Sequence, residues 1–499
     1  MNENRRFFIE FVAYAPSQFI PALVGVVSVP ILTRLFSPEK YGQYALIMAS
    51  LSFLTTLTGW LPMSVIRFYP AVERKGQLES LYVSALAGLV ASLLIISILT
   101  GVIFGGVYKP AMMRSFTDLL IAGFVVFVLT ATFEMFQQFL RAKLKSKEYT
   151  LFSAWRSIAS LSIGVGLVIK FGIGVAGLLW GHAISLALVL PFLWKTAIGR
   201  VPKITSLSGN LIKEMLQYGL PLVIGNLAAW VLSLSDRYVL EYFRGSQEVG
   251  IYSVNYSVAE KTILIIASIF HLVSIPMSVH VWEKERGKTR VFVQTITRYY
   301  LLLSLPIAVG MSVLSRPVME VLAGKAYSEG YKVLPFVIIS GLLFGIQQRF
   351  QSGLVFCNKT SLIMISIITG GAANISLNLI FVPKYGYMAA AVNTLIGYSL
   401  LLALMVFFSR KYWAWDFPYE SLLKITAAAM AMGIALYLLN NGTKWSAVMT
   451  MLLGSALGFF VYTLALIGLQ ELQSKEIRSL YEIGAEMLRE MRYGFNFKR

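Results

Sequence analysis

The chain has 499 residues, 57% of them hydrophobic and 13% charged, and its 43 Lys and Arg outweigh 24 Asp and Glu for a net charge of +19. Soluble domains carry about 25% charged residues, so this composition excludes an ordinary water-soluble fold and selects a membrane protein. Cys357 is the single cysteine, which excludes an intramolecular disulfide and a CxxC metal or redox pair.

A membrane helix needs roughly 20 consecutive apolar residues. In chain order such runs occupy 9–31, 42–64, 81–106, 116–140, 150–169, 174–194, 216–236, 250–275, 292–314, 333–355, 361–382, 387–409, 422–440 and 445–468. They predict an all-α polytopic protein of about fourteen transmembrane helices, with no connection long enough for a folded soluble domain. The first run is too long for a signal-peptide core and lacks a small-residue cleavage site, so it is expected to remain as a span.

The charges orient these spans. With the N-terminus in the cytoplasm, the tails and even-numbered connections hold 26 Lys and Arg, the odd-numbered connections 12, and five fall inside spans. By the positive-inside rule both termini are expected in the cytoplasm, at the cytoplasmic (inner) membrane. Most of the excess charge is therefore topological, and nucleic acid is not an expected partner.

The sequence also repeats itself at a period near 210 residues. Tyr41-Gly42-Gln43-Tyr44 matches Val249-Gly250-Ile251-Tyr252 at an offset of 208, and Lys147 matches Lys359 at 212. The stretch from Phe171 to Gly177 matches Tyr385 to Ala391 at 214. An even six spans per repeat gives both copies one orientation, related by a pseudo-twofold axis along the membrane normal. The expected divisions are an N-lobe over 1–200, a C-lobe over 201–412, two further spans over 413–469 and a tail over 470–499. In the tail, Leu472, Ile477, Leu480, Ile483, Met487, Leu488 and Met491 recur at helical spacing among charges, the pattern of an amphipathic helix on the inner membrane surface. Pro221, in Tyr218-Gly-Leu-Pro, is the candidate bend where the second repeat begins.

Enzyme signatures are missing from the sequence. It contains no GxxxxGK[ST], HExxH or GxSxG, and His182, His271 and His280 have no ligand spacing, so no metal or cofactor is expected. What remains is charge inside the membrane, which is costly and faces a bundle interior or water. Lys261 lies near the middle of the eighth run. Arg156, Arg349 and Arg298 lie in the fifth, tenth and ninth runs, and Arg34 and Arg67 flank the first two. The embedded acids are Glu134, Asp236 and Glu260. Each position carries a bland reading as well. Arg34, Arg67 and Arg298 reach lipid phosphates by snorkelling, Arg349 pairs with Glu134, and Glu260 neutralises Lys261. The alternative is that the six bases line an aqueous cavity and grip an anionic group at successive depths, with Glu134, Asp236 or Glu260 binding a coupling ion. Asn226, Asn255, Tyr256, Trp230 and Gln347 are the polar and aromatic candidates for sugar contacts.

Several strings resemble one family. Pro30-Ile-Leu-Thr-Arg34-Leu-Phe-Ser-Pro38-Glu-Lys-Tyr-Gly42 resembles the first span and loop of polysaccharide-biosynthesis flippases of the Wzx type. Val65-Ile-Arg67-Phe-Tyr-Pro70, Gly219-Leu-Pro221, Ser235-Asp236-Arg237 and Gly250-Ile-Tyr252 resemble later motifs of that family. The resemblance implies the multidrug/oligosaccharidyl-lipid/polysaccharide (MOP) exporter fold, with two six-helix lobes, two extra C-terminal helices and alternating access. It further implies a polyprenyl-diphosphate-linked glycan as cargo, carried to the outer leaflet for cell-surface polysaccharide such as O-antigen. Membrane lipids and other polysaccharide-assembly proteins are the remaining implied partners. Lys261 and Arg67 resemble cavity arginines of related lipid II flippases, and the two extra spans resemble those that form a lipid-tail groove there. The competing expectations are a cation or drug antiporter of the same superfamily, and a membrane polymerase, ligase or non-transporting partner of polysaccharide assembly. A first span without an embedded acid argues against the antiporter, and the shortness of the loops argues against the enzyme.

Overall fold

In hydrocarbon, backbone polar groups must be satisfied within the segment, so apolar runs of this length become helices. The computed structural model describes residues 3–107, 117–199, 201–442 and 445–472, and no strand occurs among them. Among the described residues, each of the fourteen runs falls mostly on helix. The first half holds α1 (Glu3–Leu35), α2 (Pro38–Thr58), α3 (Trp60–Arg74), α4 (Leu78–Val107), α5 (Thr117–Ala142), α6 (Ser146–Phe171) and α7 (Val175–Ala197). The second half holds α8 (Gly209–Leu234), α9 (Asp236–Arg244), α10 (Ser246–Lys284), α11 (Arg286–Val313), α12 (Ser315–Ala323), α13 (Lys325–Ser328), α14 (Leu334–Phe356) and α15 (Thr360–Tyr412). Two more helices follow, α16 (Tyr419–Gly442) and α17 (Ala447–Gly468). Among the described residues, eleven helices are long and apolar enough to cross a membrane, and α15 counts once in that number although it contains two runs. The expected tail helix lies in residues 473–499, outside the described residues.

Two of the predicted spans are interrupted. The second breaks at Gly59, between α2 and α3. Pro62 has no N–H to offer the carbonyl one turn back, so the ladder loses a bond at this point, although Pro38–Arg74 still counts as one membrane span. The seventh ends at Leu234, and Asp236 opens the short surface helix α9 instead of ending a span. Pro221, in contrast, sits inside α8 without breaking it.

The duplication is visible in the backbone. α2 crosses α10 where Gly42 meets Gly250, and the contact is reciprocal. A Cβ on Gly42 would overlap the carbonyl oxygen of Ser246, and one on Gly250 would overlap that of Pro38. Pro38 and Ser246 are themselves 208 positions apart, as are the two glycines. A twofold contact brings the same patch of each copy together in this way. Elsewhere the register is corrected. Leu144 (φ 56°) and Asn358 (φ 55°) precede α6 and α15, so Lys359 matches Lys145 rather than Lys147. Gly174 (φ 60°, ψ −144°) matches Gly386 (φ 57°, ψ −143°), the kink of α15, in place of the Gly172–Gly386 pairing read from the sequence. Only glycine holds this left-handed conformation without strain.

Each half has its own core. Leu61, Phe127, Phe133, Met135, Phe139 and Leu179 are fully buried in the first, and Tyr252, Tyr300, Met319, Tyr327 and Leu334 in the second. α16 packs on α11, and α17 packs on α16 and α12, which sets this pair against the second half.

Candidate functional site

Two cavities of opposite character lie where the halves meet. The first, of about 440 Å³, is bounded by the α2–α3 break, by α5 and by α8. Thr55, Thr56, Glu134, Gln138, Arg141 and Asn226 give it a polar lining. Glu134, Gln138 and Arg141 are spaced by four and three residues, so one face of α5 presents all three. Arg156 reaches Glu134 from α6 at 3.8 Å and stacks over Phe133 at 5.2 Å.

The second cavity, of about 620 Å³, runs between α1, α10, α11, α16 and α17. Its wall is aliphatic and aromatic, including Val26, Leu303, Pro306, Met451 and Phe459, and Lys261 is the charged residue in the described lining. The Lys261 ammonium donates to the Gly25 carbonyl of α1 at 2.8 Å, which links the two halves. Gly25 leaves room for the lysine stem, because a Cβ there would stand 2.7 Å from Lys261 Cε. Glu260 makes no direct ion pair with this lysine, although the two charges attract through space. Adjacent helical residues diverge, and Glu260 instead lines a small cavity of about 10 Å³ with Tyr256, Ser340 and Tyr398.

Several other embedded charges have partners elsewhere. Asp236 is fully buried, 2.9 Å from the guanidinium of Arg237, and accepts a hydrogen bond from the Tyr252 hydroxyl. Arg349 does not pair with Glu134. It is buried, donates to the Ser274 hydroxyl through Nη1 and lies 5.8 Å from the Tyr300 ring centre, but its Nε and Nη2 have no partner among the described residues. Arg298 donates to Glu471 at 2.6 Å, tying α11 to the chain after α17, and so does not snorkel to lipid. Arg34 donates to the carbonyls of Pro30 (2.8 Å) and Val321 (3.3 Å), which closes the end of α1 onto α12. Arg67 is exposed on α3 beside the cavity-lining Ile66. Of the candidate sugar contacts, Asn226 lines the polar cavity. Asn255 is buried and donates to the carbonyls of Ile251 and Tyr327, Tyr256 and Gln347 are buried, and the Trp230 indole donates to the Ala49 carbonyl at 3.2 Å.

Sequence reading missed two groups. Arg141 looked like a loop charge, and its seven-residue spacing from Glu134 was the available signal. Asn374, Asn378, Asn393 and Thr394 form a buried chain across the kink of α15, with the Asn378 amide on Asn374 (3.1 Å), Asn393 on Asn378 (2.9 Å) and Asn374 on Thr394 (3.4 Å). Asparagines four apart in an apolar run would have pointed to it.

A sequence profile described as "Polysaccharide biosynthesis protein" matches residues 31–332, more than half of the chain. The chain belongs to this family. Among curated relatives, an uncharacterized membrane protein of Methanocaldococcus jannaschii is 21% identical over 277 residues, covering 55% of this chain and 54% of its own. A probable low-salt glycan biosynthesis flippase of Haloferax volcanii is 18% identical over 271 residues, covering 54% and 57%. The chain thus spans just over half the length of these relatives. Among solved structures, a lipid II flippase in an inward closed conformation superimposes with a TM-score of 0.73 at 17% identity, over 93% of this chain and 99% of that one. An inward-facing multidrug-resistance transporter of the MOP superfamily gives 0.62 at 13% identity, over 81% and 97%. The family member therefore has the fold of MOP transporters, with two six-helix lobes followed by two extra helices.

Proposed function

We propose that this protein is a flippase that moves a polyprenyl-diphosphate-linked oligosaccharide from the inner to the outer leaflet of the cytoplasmic membrane, by alternating access. The observation that carries this reading is the pairing of a polar cavity with an apolar groove at the junction of the halves. A lipid-linked glycan has the same two-part chemistry. Its tail loses nothing by lying in an apolar groove, whereas its charged headgroup pays a large desolvation cost in hydrocarbon unless a polar path is supplied.

Lys261, at the groove, and Arg156 and Arg67, beside the polar cavity, are the cations assigned to the diphosphate. Arg298 meets Glu471 and Arg34 meets two carbonyls in this state, while the buried Arg349 keeps two guanidinium nitrogens without a partner among the described residues and stays among the candidates. Of the three candidates for a coupling ion, Asp236 is sealed against Arg237, whereas Glu134 meets Arg156 only at 3.8 Å beside the polar cavity and Glu260 has no direct ion pair among the described residues, which favours the latter two. The basic face is assigned to the cytoplasm by the charge count. The Gly42–Gly250 contact lies at the opposite face, so this state is closed there and rocking of the halves would open it. Two of the relatives are named as flippases, of a glycan pathway and of lipid II, which supports this assignment. The drug-antiporter alternative shares the fold of the multidrug transporter, but a lining that offers cations argues against it.

Translocation of a fluorescent polyprenyl-diphosphate oligosaccharide into the far leaflet of proteoliposomes tests the reading. Wild type is expected to expose the glycan, and Lys261→Ala to slow this at least tenfold while keeping a monodisperse gel-filtration profile. Equal rates would remove Lys261 from the path, and no movement by wild type with several glycans and ion gradients would end the flippase assignment.

A further inference from the structure

Four basic residues mark the α5–α6 connection, Arg141, Lys143, Lys145 and Lys147, and topology alone accounts for their being basic. The structure gives them different tasks. The Lys143 ammonium donates to the Ala197 carbonyl at 2.5 Å and sits 5.3 Å from the Tyr82 ring centre, while Lys145 reaches the Thr196 carbonyl at 3.5 Å. Both therefore bind the carbonyl end of α7, where a helix favours cations. Lys147 is exposed on the first turn of α6. Arg141 alone of the four lines the polar cavity.

Its neighbours define what it can accept. Glu134, seven residues earlier and roughly 10 Å deeper at 1.5 Å per residue, is engaged by Arg156. Gln138 lies between them on the same face and Asn226 stands across the cavity on α8. Arg141 has neither an ion pair nor a side-chain hydrogen bond with any described residue, so its five donors are free. A planar guanidinium in a partly enclosed polar cavity matches a bidentate oxyanion.

We propose that Arg141 is a substrate-binding residue, the first cationic station for an oxyanion of the cargo at the basic-face mouth of the cavity. This rests on the flippase reading for its ligand. The oxyanion comes either from the diphosphate or from a carboxylated sugar, and the same guanidinium suits both.

Equilibrium binding to purified protein in detergent separates these sources without requiring transport. Farnesyl diphosphate probes the lipid-linked anion and glucuronate the sugar carboxylate. Arg141→Gln is expected to weaken one of the two at least tenfold. Arg141→Lys should weaken it less, since charge is kept and the fork is lost. Lys147→Gln, which removes the same charge from the same connection, should match wild type. Loss confined to farnesyl diphosphate assigns the site to the carrier, and loss confined to glucuronate assigns it to the glycan. Wild-type binding of both probes by Arg141→Gln overturns the proposal, as does a wild type that binds neither. Equal losses in Arg141→Gln and Lys147→Gln also overturn it, because only net charge would then matter. A failure to flip lipid would count against the flippase reading and leave the binding result standing.

Discussion

The two halves repeat one helical arrangement but treat embedded charge differently. In the second half, Asp236 and Arg237 are 0% and 5% exposed and close on each other with Tyr252, and Arg298 is pinned by a buried Glu471. In the first half, the Arg156 and Glu134 side chains are 33% and 39% exposed and 3.8 Å apart, and Arg141 is uncommitted. The duplicated fold has thus become asymmetric in its ion pairs, which are sealed in the second half and border an open polar cavity in the first.

The sharpest test of this contrast is stability. Asp236→Ala strands a buried guanidinium, and breaking such a pair costs about 3–5 kcal/mol, so a large drop in the thermal unfolding midpoint in detergent is expected. Glu134→Gln, at a half-exposed pair, should cost less than about 1 kcal/mol in the same assay. Equal losses would erase the distinction between the halves. The next effect is conformational. Gly250→Ala places a methyl against the Pro38 carbonyl and should hold the halves apart at that face. In a Cys357→Ser background, alkylation of Ser246→Cys by an impermeant maleimide should speed up several-fold, and an unchanged rate would show that the crossing can absorb a methyl. The smallest effect belongs to Arg34→Ala. This exposed residue holds only two carbonyls, of Pro30 on α1 and Val321 on α12, so its loss should shift stability by no more than about 1 kcal/mol.

The membrane fold was legible because hydrocarbon leaves so few choices. Runs of apolar residues, basic connections and repeat offsets sufficed to predict about fourteen helices, twelve of them in two related sets. The break at Gly59 was hidden because the apolar run continues unbroken through Trp60 and Leu61, and only Pro62 hinted at it. Charges inside spans were visible, but their partners were not. Arg298 meets Glu471, 173 residues away, and Lys261 meets a backbone carbonyl 236 residues away, which no local pattern encodes. Arg141 was missed for the converse reason, since its place at the end of a span made it look like one more topological charge.

The Gly42–Gly250 crossing has an electrical consequence. Backbones this close leave no room for a file of water, while the polar cavity reaches the last turn of α5 at the basic face. In an energised membrane, a water-filled cavity stays near the potential of the solution it opens to, and the voltage falls mainly across the dry seal. An elementary charge crossing 100 mV exchanges about 2.3 kcal/mol with the field. An anionic group resting in the cavity would exchange little of that. Most would be felt in passing the glycine pair, which makes the seal the step most exposed to membrane voltage.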